Sequence, residues 1–167
     1  MVDLGSLPTR EEQALASTAV LDALWRERER RRPVLVVIDE AHNVCPAEPD
    51  SALTERSTEL AIRIAAEGRK FGLYLFVSTQ RPQKVHENVL SQCDNLLLMR
   101  MNSLADLAYV GEVFSFVPPG LLARATAFRQ GECLVAGKIA PHPALLRVGA
   151  RITREGGGDV PSTWAEG

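Results

Sequence analysis

The sequence has no apolar run longer than five residues. Val34 to Ile38 and Leu73 to Val77 are the longest, and a bilayer-spanning helix needs about 20. Met1-Val-Asp-Leu-Gly contains no basic segment leading into an apolar one, so no secretory signal is expected and the expected compartment is the cytosol. Cysteine is scarce and scattered. Cys45, Cys93 and Cys133 form no C-x-x-C pair and the three histidines do not cluster with them, which argues against a zinc site and for buried or incidental thiols. Charge of one sign is also missing: the net charge of −2 gives no global attraction for nucleic acid. Any DNA contact would need local positive loops, or a ring of subunits that concentrates them. No internal repeat is present. The 167 residues are enough for one domain with a buried core.

Several patterns predict structure. Val2 to Leu4 reads as a short strand. Thr9 with Glu12 has the form of a capping box opening a helix that runs to about Arg31, with Leu15, Ala19, Leu21, Leu24 and Trp25 on its apolar face. Arg26 to Arg32 holds five arginines, read either as a solvated helix end complementing the dipole or as a nucleic-acid contact. Val34 to Ile38 is continuous and mostly β-branched, the composition of a strand buried on both faces of a parallel sheet. A helix is expected from about Ser51 to Glu67, stopped by Gly68. Further strands are expected over Leu73 to Thr79 and Asn95 to Met101. Short helices are expected near Val85 to Leu90, from Ser103 to Glu112, and around Leu121 to Thr126. Glu132 to Lys138 and Ala144 to Val148 are expected to pair as a C-terminal β-hairpin. Alternation of this kind predicts an α/β fold with a mostly parallel sheet flanked by helices, in which ligands bind beyond the carboxyl ends of the strands.

The residues at those ends are therefore the candidates. Asp39 and Glu40 follow the first long strand in the Walker B pattern, where the aspartate holds Mg²⁺ and the glutamate polarises the attacking water. The plain alternative is a strand that ends in two polar loop residues. Gln80, forty residues beyond Glu40 with one helix between, can donate to a phosphate oxygen and accept from water at once, as a sensor of nucleotide state does. Arg69, in Glu67-Gly-Arg-Lys-Phe-Gly72, is either a basic residue complementing a helix end or an arginine finger directed at a neighbouring subunit. Arg100 ends the third strand, as a phosphate contact or a surface cap. His42 reads as a loop or helix-start residue rather than a ligand.

Taken together, these segments resemble a known family. Val34-Leu-Val-Val-Ile-Asp-Glu-Ala-His-Asn43 is similar to the Walker B segment of HerA/FtsK-like P-loop ATPases. Glu67-Gly-Arg-Lys-Phe-Gly-Leu73 with Ser78-Thr-Gln-Arg-Pro82 resembles their finger and sensor segments. Val89 to Asn95 and the strand to Arg100 continue the likeness, as does Val2 to Pro8. The resemblance implies a RecA-like core, a hexameric ring, Mg²⁺-dependent ATP hydrolysis at subunit interfaces, and translocation of double-stranded DNA, often beside a nuclease and away from any membrane. It assigns Asp39 and Glu40 as the Walker B pair, Gln80 as sensor and Arg69 as finger. It covers residues 1–148 as the C-terminal portion of the ATPase domain and leaves 149–167, which the Gly156-Gly-Gly158 run and polar end mark as a flexible or partner-wrapping tail.

One departure from the family is large. No G-x-x-x-x-G-K-[ST] occurs, so the cradle for the β- and γ-phosphates is absent. That loop is expected N-terminal to Met1, in a longer protein or a separate chain, and the chain alone is expected not to hydrolyse ATP. The competing readings are a non-catalytic interaction or oligomerisation module, a degenerate truncated ATPase, and the conjugation-coupling or DNA-packaging branches of the superfamily. Asp39-Glu-Ala-His42 also spells the DEAH box, but the strand end Ser-Thr-Gln-Arg-Pro82 does not fit superfamily 2 helicases.

Overall fold

In the computed structural model residues 1–150 and 152–153 are described, so the expected tail from 149 to 167 falls almost wholly outside the described residues. The chain begins with α1 (Arg10–Arg26), capped by Thr9: its hydroxyl accepts from Glu12 N and the Glu12 carboxylate accepts from Thr9 N, the expected capping box. Val2 to Leu4 forms no strand. Asp3 Oδ1 accepts from Gly5 N and Leu4 O from Leu7 N, so local turns satisfy the backbone there. The buried face of α1 is Ala14, Ser17 and Leu21, with Leu15 turned outward.

β1 (Val34–Ile38) leads through a 3-10 helix (Ala41–Asn43) and a loop to α2 (Ala52–Glu67), which is capped by Ser51 and packs on α1. β2 (Leu73–Val77) then pairs with β1 in parallel, Val34 opposite Leu73 through Ile38 opposite Val77. This is the expected β-α-β unit. One face of the pair, with Val34, Val36, Ile38, Leu73, Leu75 and Val77, packs into the core that Leu60, Ala61 and Ile64 supply from α2. The other face is open: Leu35, Val37, Tyr74 and Phe76 are 62%, 60%, 50% and 46% exposed. Burial on both faces, expected from composition, therefore holds for one face only among the described residues.

α3 (Glu87–Leu90) precedes β3 (Asn95–Leu98). After α4 (Leu104–Val113), α5 (Pro119–Leu122) and a 3-10 turn, β4 (Glu132–Gly137) and β5 (Ala144–Arg147) form the expected hairpin. β3 pairs antiparallel with β4 rather than extending the parallel ladder. Gly137 allows that register. It sits at φ 102°, and a Cβ there would lie 2.1 Å from Asp94 O. No described helix is long and apolar enough to cross a membrane.

Candidate active site at the carboxyl edge of the parallel pair

Because β1 and β2 run in the same direction, Asp39-Glu40 and Ser78-Thr79-Gln80 leave the sheet on one edge. The ladder continues past both strands: Ser78 N donates to Ile38 O at 2.9 Å and Ala41 N donates to Ser78 O at 2.9 Å. The two loops are thereby fixed to one another before any side chain contributes.

Glu40 occupies the left-handed region at φ 46°, ψ 51°. A residue with a Cβ costs about 1–2 kcal/mol there, and such strain collects at functional sites. Asp39 Oδ1 accepts from Glu40 N at 3.0 Å, which holds the turn. The turn then enters a 3-10 helix at the fully buried Ala41. Glu40 is directed back across the edge, where Gln80 Nε2 donates to its Oε1 at 3.1 Å. The two candidates forty residues apart in sequence are therefore in direct contact. Glu40 Oε2 lies 3.3 Å from His42 Nδ1, and the same nitrogen stands 3.4 Å from Thr79 Oγ1. Sequence reasoning passed over His42. Its only signal was a place two residues after Glu40, and the left-handed turn that brings it back is not visible in composition.

Asp39 is exposed, with Oδ1 taken by the turn. No group of three or more His, Cys, Asp or Glu able to hold a metal occurs among the described residues. One exposed carboxylate is a poor site for a resident ion. It fits a Mg²⁺ that arrives with a nucleotide, since Mg²⁺ takes one or two carboxylates and completes its shell with phosphate and water.

Arg69 is not part of this cluster. It lies on the 3-10 turn Gly68–Phe71 that precedes β2, at the opposite edge of the sheet from Gln80. The five residues of β2 separate them by about 17 Å at 3.3 Å per residue, longer than an arginine side chain. The turn is firmly seated. Gly72 at φ 81° ends it, Val34 N donates to Gly72 O at 3.0 Å, and Phe71 stacks edge-on against Trp25 of α1 at 5.9 Å. The Arg28 guanidinium covers both rings, 4.7 Å from Trp25 and 5.4 Å from Phe71. Arg69 is exposed and in no ion pair among the described residues. Arg100 follows β3, where its Nε donates to Asn102 Oδ1 at 3.2 Å, and no described contact joins it to the Glu40 group.

No protein-family model matches the sequence. The chain is 33% identical over 156 residues to the DNA double-strand break repair helicase HerA of Sulfurisphaera tokodaii, covering 89% of this chain and 31% of that protein. Among solved structures, VirB4 of Thermoanaerobacter pseudethanolicus superposes with a TM-score of 0.65 at 17% identity, over 88% of this chain and 39% of that one. The genome packaging NTPase B204 of Sulfolobus turreted icosahedral virus 2, in complex with ATP-gammaS, superposes with a TM-score of 0.59 at 16% identity, over 75% and 57%. The chain thus spans less than a third of the length of the HerA relative. Its sequence is similar to that part of the HerA helicases, and its fold is RecA-like, as in the B204 and VirB4 structures.

Proposed function

We propose that the chain supplies the back part of the ATPase core of a DNA-translocating motor. In this reading Glu40 polarises the attacking water, Gln80 senses the nucleotide, and Asp39 would hold Mg²⁺, which would neutralise phosphate charge when bound. Arg100 would contact phosphate. Arg69 would act as an arginine finger in the site of a neighbouring subunit, consistent with its position at the opposite sheet edge from Glu40. A ring of subunits would then join each Glu40 to an adjacent Arg69, as the hexameric family does, with double-stranded DNA as the cargo and a nuclease as a further partner.

The observation that carries the reading is the 3.1 Å bond from Gln80 Nε2 to Glu40 Oε1 at the carboxyl edge of a parallel pair. A carboxamide in that place can release Glu40 when it turns to a phosphate oxygen. The phosphate cradle itself would come from a polypeptide segment outside this sequence. The open face of Leu35, Val37, Tyr74 and Phe76 supports such a segment, since about 25 cal/mol per Å² is gained on covering apolar surface. That same face favours a second reading, in which the chain is a non-catalytic interaction module covered by a partner.

Hydrolysis separates the two. The 167-residue chain with Mg-ATP is expected to give no turnover alone. Assembled with a polypeptide carrying the phosphate loop it is expected to hydrolyse ATP, and Glu40→Gln is expected to lower that rate by about 10²–10⁴-fold. Turnover by the chain alone, or an assembled enzyme indifferent to Glu40→Gln, would overturn the catalytic reading.

A further inference from the structure

Glu40 is held from two sides. Gln80 has a stated part in the proposed chemistry, and His42 has none. An ionised carboxylate only accepts hydrogen bonds. A bare Nδ1 lone pair 3.3 Å from Glu40 Oε2 would be repelled, so the arrangement is favourable when Nδ1 carries the hydrogen. Thr79 Oγ1, 3.4 Å from the same nitrogen, already accepts from Arg81 N at 3.0 Å and has a second lone pair for the ring N–H. The Thr79 hydroxyl can donate or accept, so the Glu40 carboxylate, which can only accept, is the group that selects the Nδ1–H tautomer. The ring is half-buried between the loop after β1 and the loop after β2. It joins both through one atom.

The backbone explains why residue 42 arrives there. The left-handed turn at Glu40 reverses the chain, and buried Ala41, bonded through its N–H to Ser78 O, anchors the next residue against Thr79. We propose that His42 is a positioning residue for Glu40. Its Nδ1–H fixes Oε2 and ties the carboxylate to Thr79, which leaves Oε1 presented to Gln80. The proposal rests on the reading of Glu40 as the water-polarising group for its meaning, but its geometry is tested without hydrolysis.

Long-range ¹H–¹⁵N spectra of the ¹⁵N-histidine-labelled chain report the tautomer of each neutral ring, and the chain has only three histidines. His42 is expected to be the Nδ1–H tautomer. Glu40→Ala is expected to return it toward the mixture of a free imidazole. The second readout is the Gln80 side-chain amide. His42→Asn places its Nδ2 donor where Nδ1 stood and is expected to leave the Gln80 signals in place. His42→Phe keeps the bulk without the donor and is expected to shift them toward those of an exposed amide, with the far-ultraviolet circular dichroism of the fold retained. An Nε2–H tautomer in the wild-type chain, or Gln80 signals unmoved by His42→Phe, would overturn the proposal. An Nδ1–H ring combined with an assembled motor indifferent to Glu40→Gln would support the geometry and remove only the catalytic reading.

Discussion

Replacing Gly68 by alanine isolates the packing that seats the turn bearing Arg69. The backbone at Gly68 is right-handed, φ −54° and ψ −36°, so alanine meets no conformational penalty there. Intrinsic helix propensity favours alanine over glycine by about 1 kcal/mol. Space opposes it. A Cβ at this position would stand 2.7 Å from Leu73 O, 3.1 Å from Leu73 Cβ and 3.3 Å from Ile64 Cγ2. The first of these atoms is the backbone of β2, and both side chains belong to the buried core, so none of the three yields cheaply. Overpacking of this kind costs about 1–3 kcal/mol, and a backbone clash belongs in the upper half of that range. The steric effect therefore wins, with a net loss of about 1–2 kcal/mol. Urea unfolding followed by circular dichroism is expected to show a lower midpoint with an unchanged slope. Gly120→Ala is the control: no atom lies within 4 Å of its added Cβ, and no loss is expected. A Gly68→Ala chain as stable as the wild type would refute the close packing of the turn on β2, and with it the fixed position assigned to Arg69.

Two further outcomes are expected. Val37→Thr with Phe76→Ser on the open sheet face is expected to change the chain's stability by less than about 1 kcal/mol while reducing self-association. Leu60→Ala on the core side, where the side chain is fully buried, is expected to cost about 2–5 kcal/mol. Equal losses on the two faces would contradict the one-sided burial. The Cys45 thiol is raised from 9.0 to about 12 by burial and then by the neighbouring Cys93. A thiol with a raised folded pKa disfavours the folded state as pH rises, so its stability contribution is intact below about pH 9 and lost toward pH 12. Cys45 is accordingly expected to resist alkylation at pH 8 until the chain unfolds. Rapid labelling in the folded chain would contradict its burial.

The elements legible in the sequence were those fixed by local chemistry. Thr9 with Glu12 opened α1, Ser51 opened α2, and the two apolar runs became β1 and β2 in parallel register. That Glu40 and Gln80 leave neighbouring strands on one edge followed from one intervening helix; their direct contact did not. What was not legible depended on long-range partners. An unbroken apolar strand records what some surface will bury, not which chain covers it, so Leu35 and Val37 read as buried. β3 joined the hairpin because Asn95 to Leu98 register with Leu134 to Gly137, a choice that composition alone cannot express. His42 was missed because its place is made by the positive φ at Glu40, a conformation that glycine usually signals and glutamate does not.

The central claim is that Glu40 and Arg69 serve the same reaction from different subunits. Mixing Glu40→Gln with Arg69→Ala subunits in the assembled ATPase tests it most directly. Each variant alone is expected to be inactive. With random equal mixing, about a quarter of the interfaces would pair an intact Glu40 with an intact Arg69, so about a quarter of wild-type hydrolysis is expected to return. A mixture as inactive as its components would contradict the account, as would either variant alone retaining full activity.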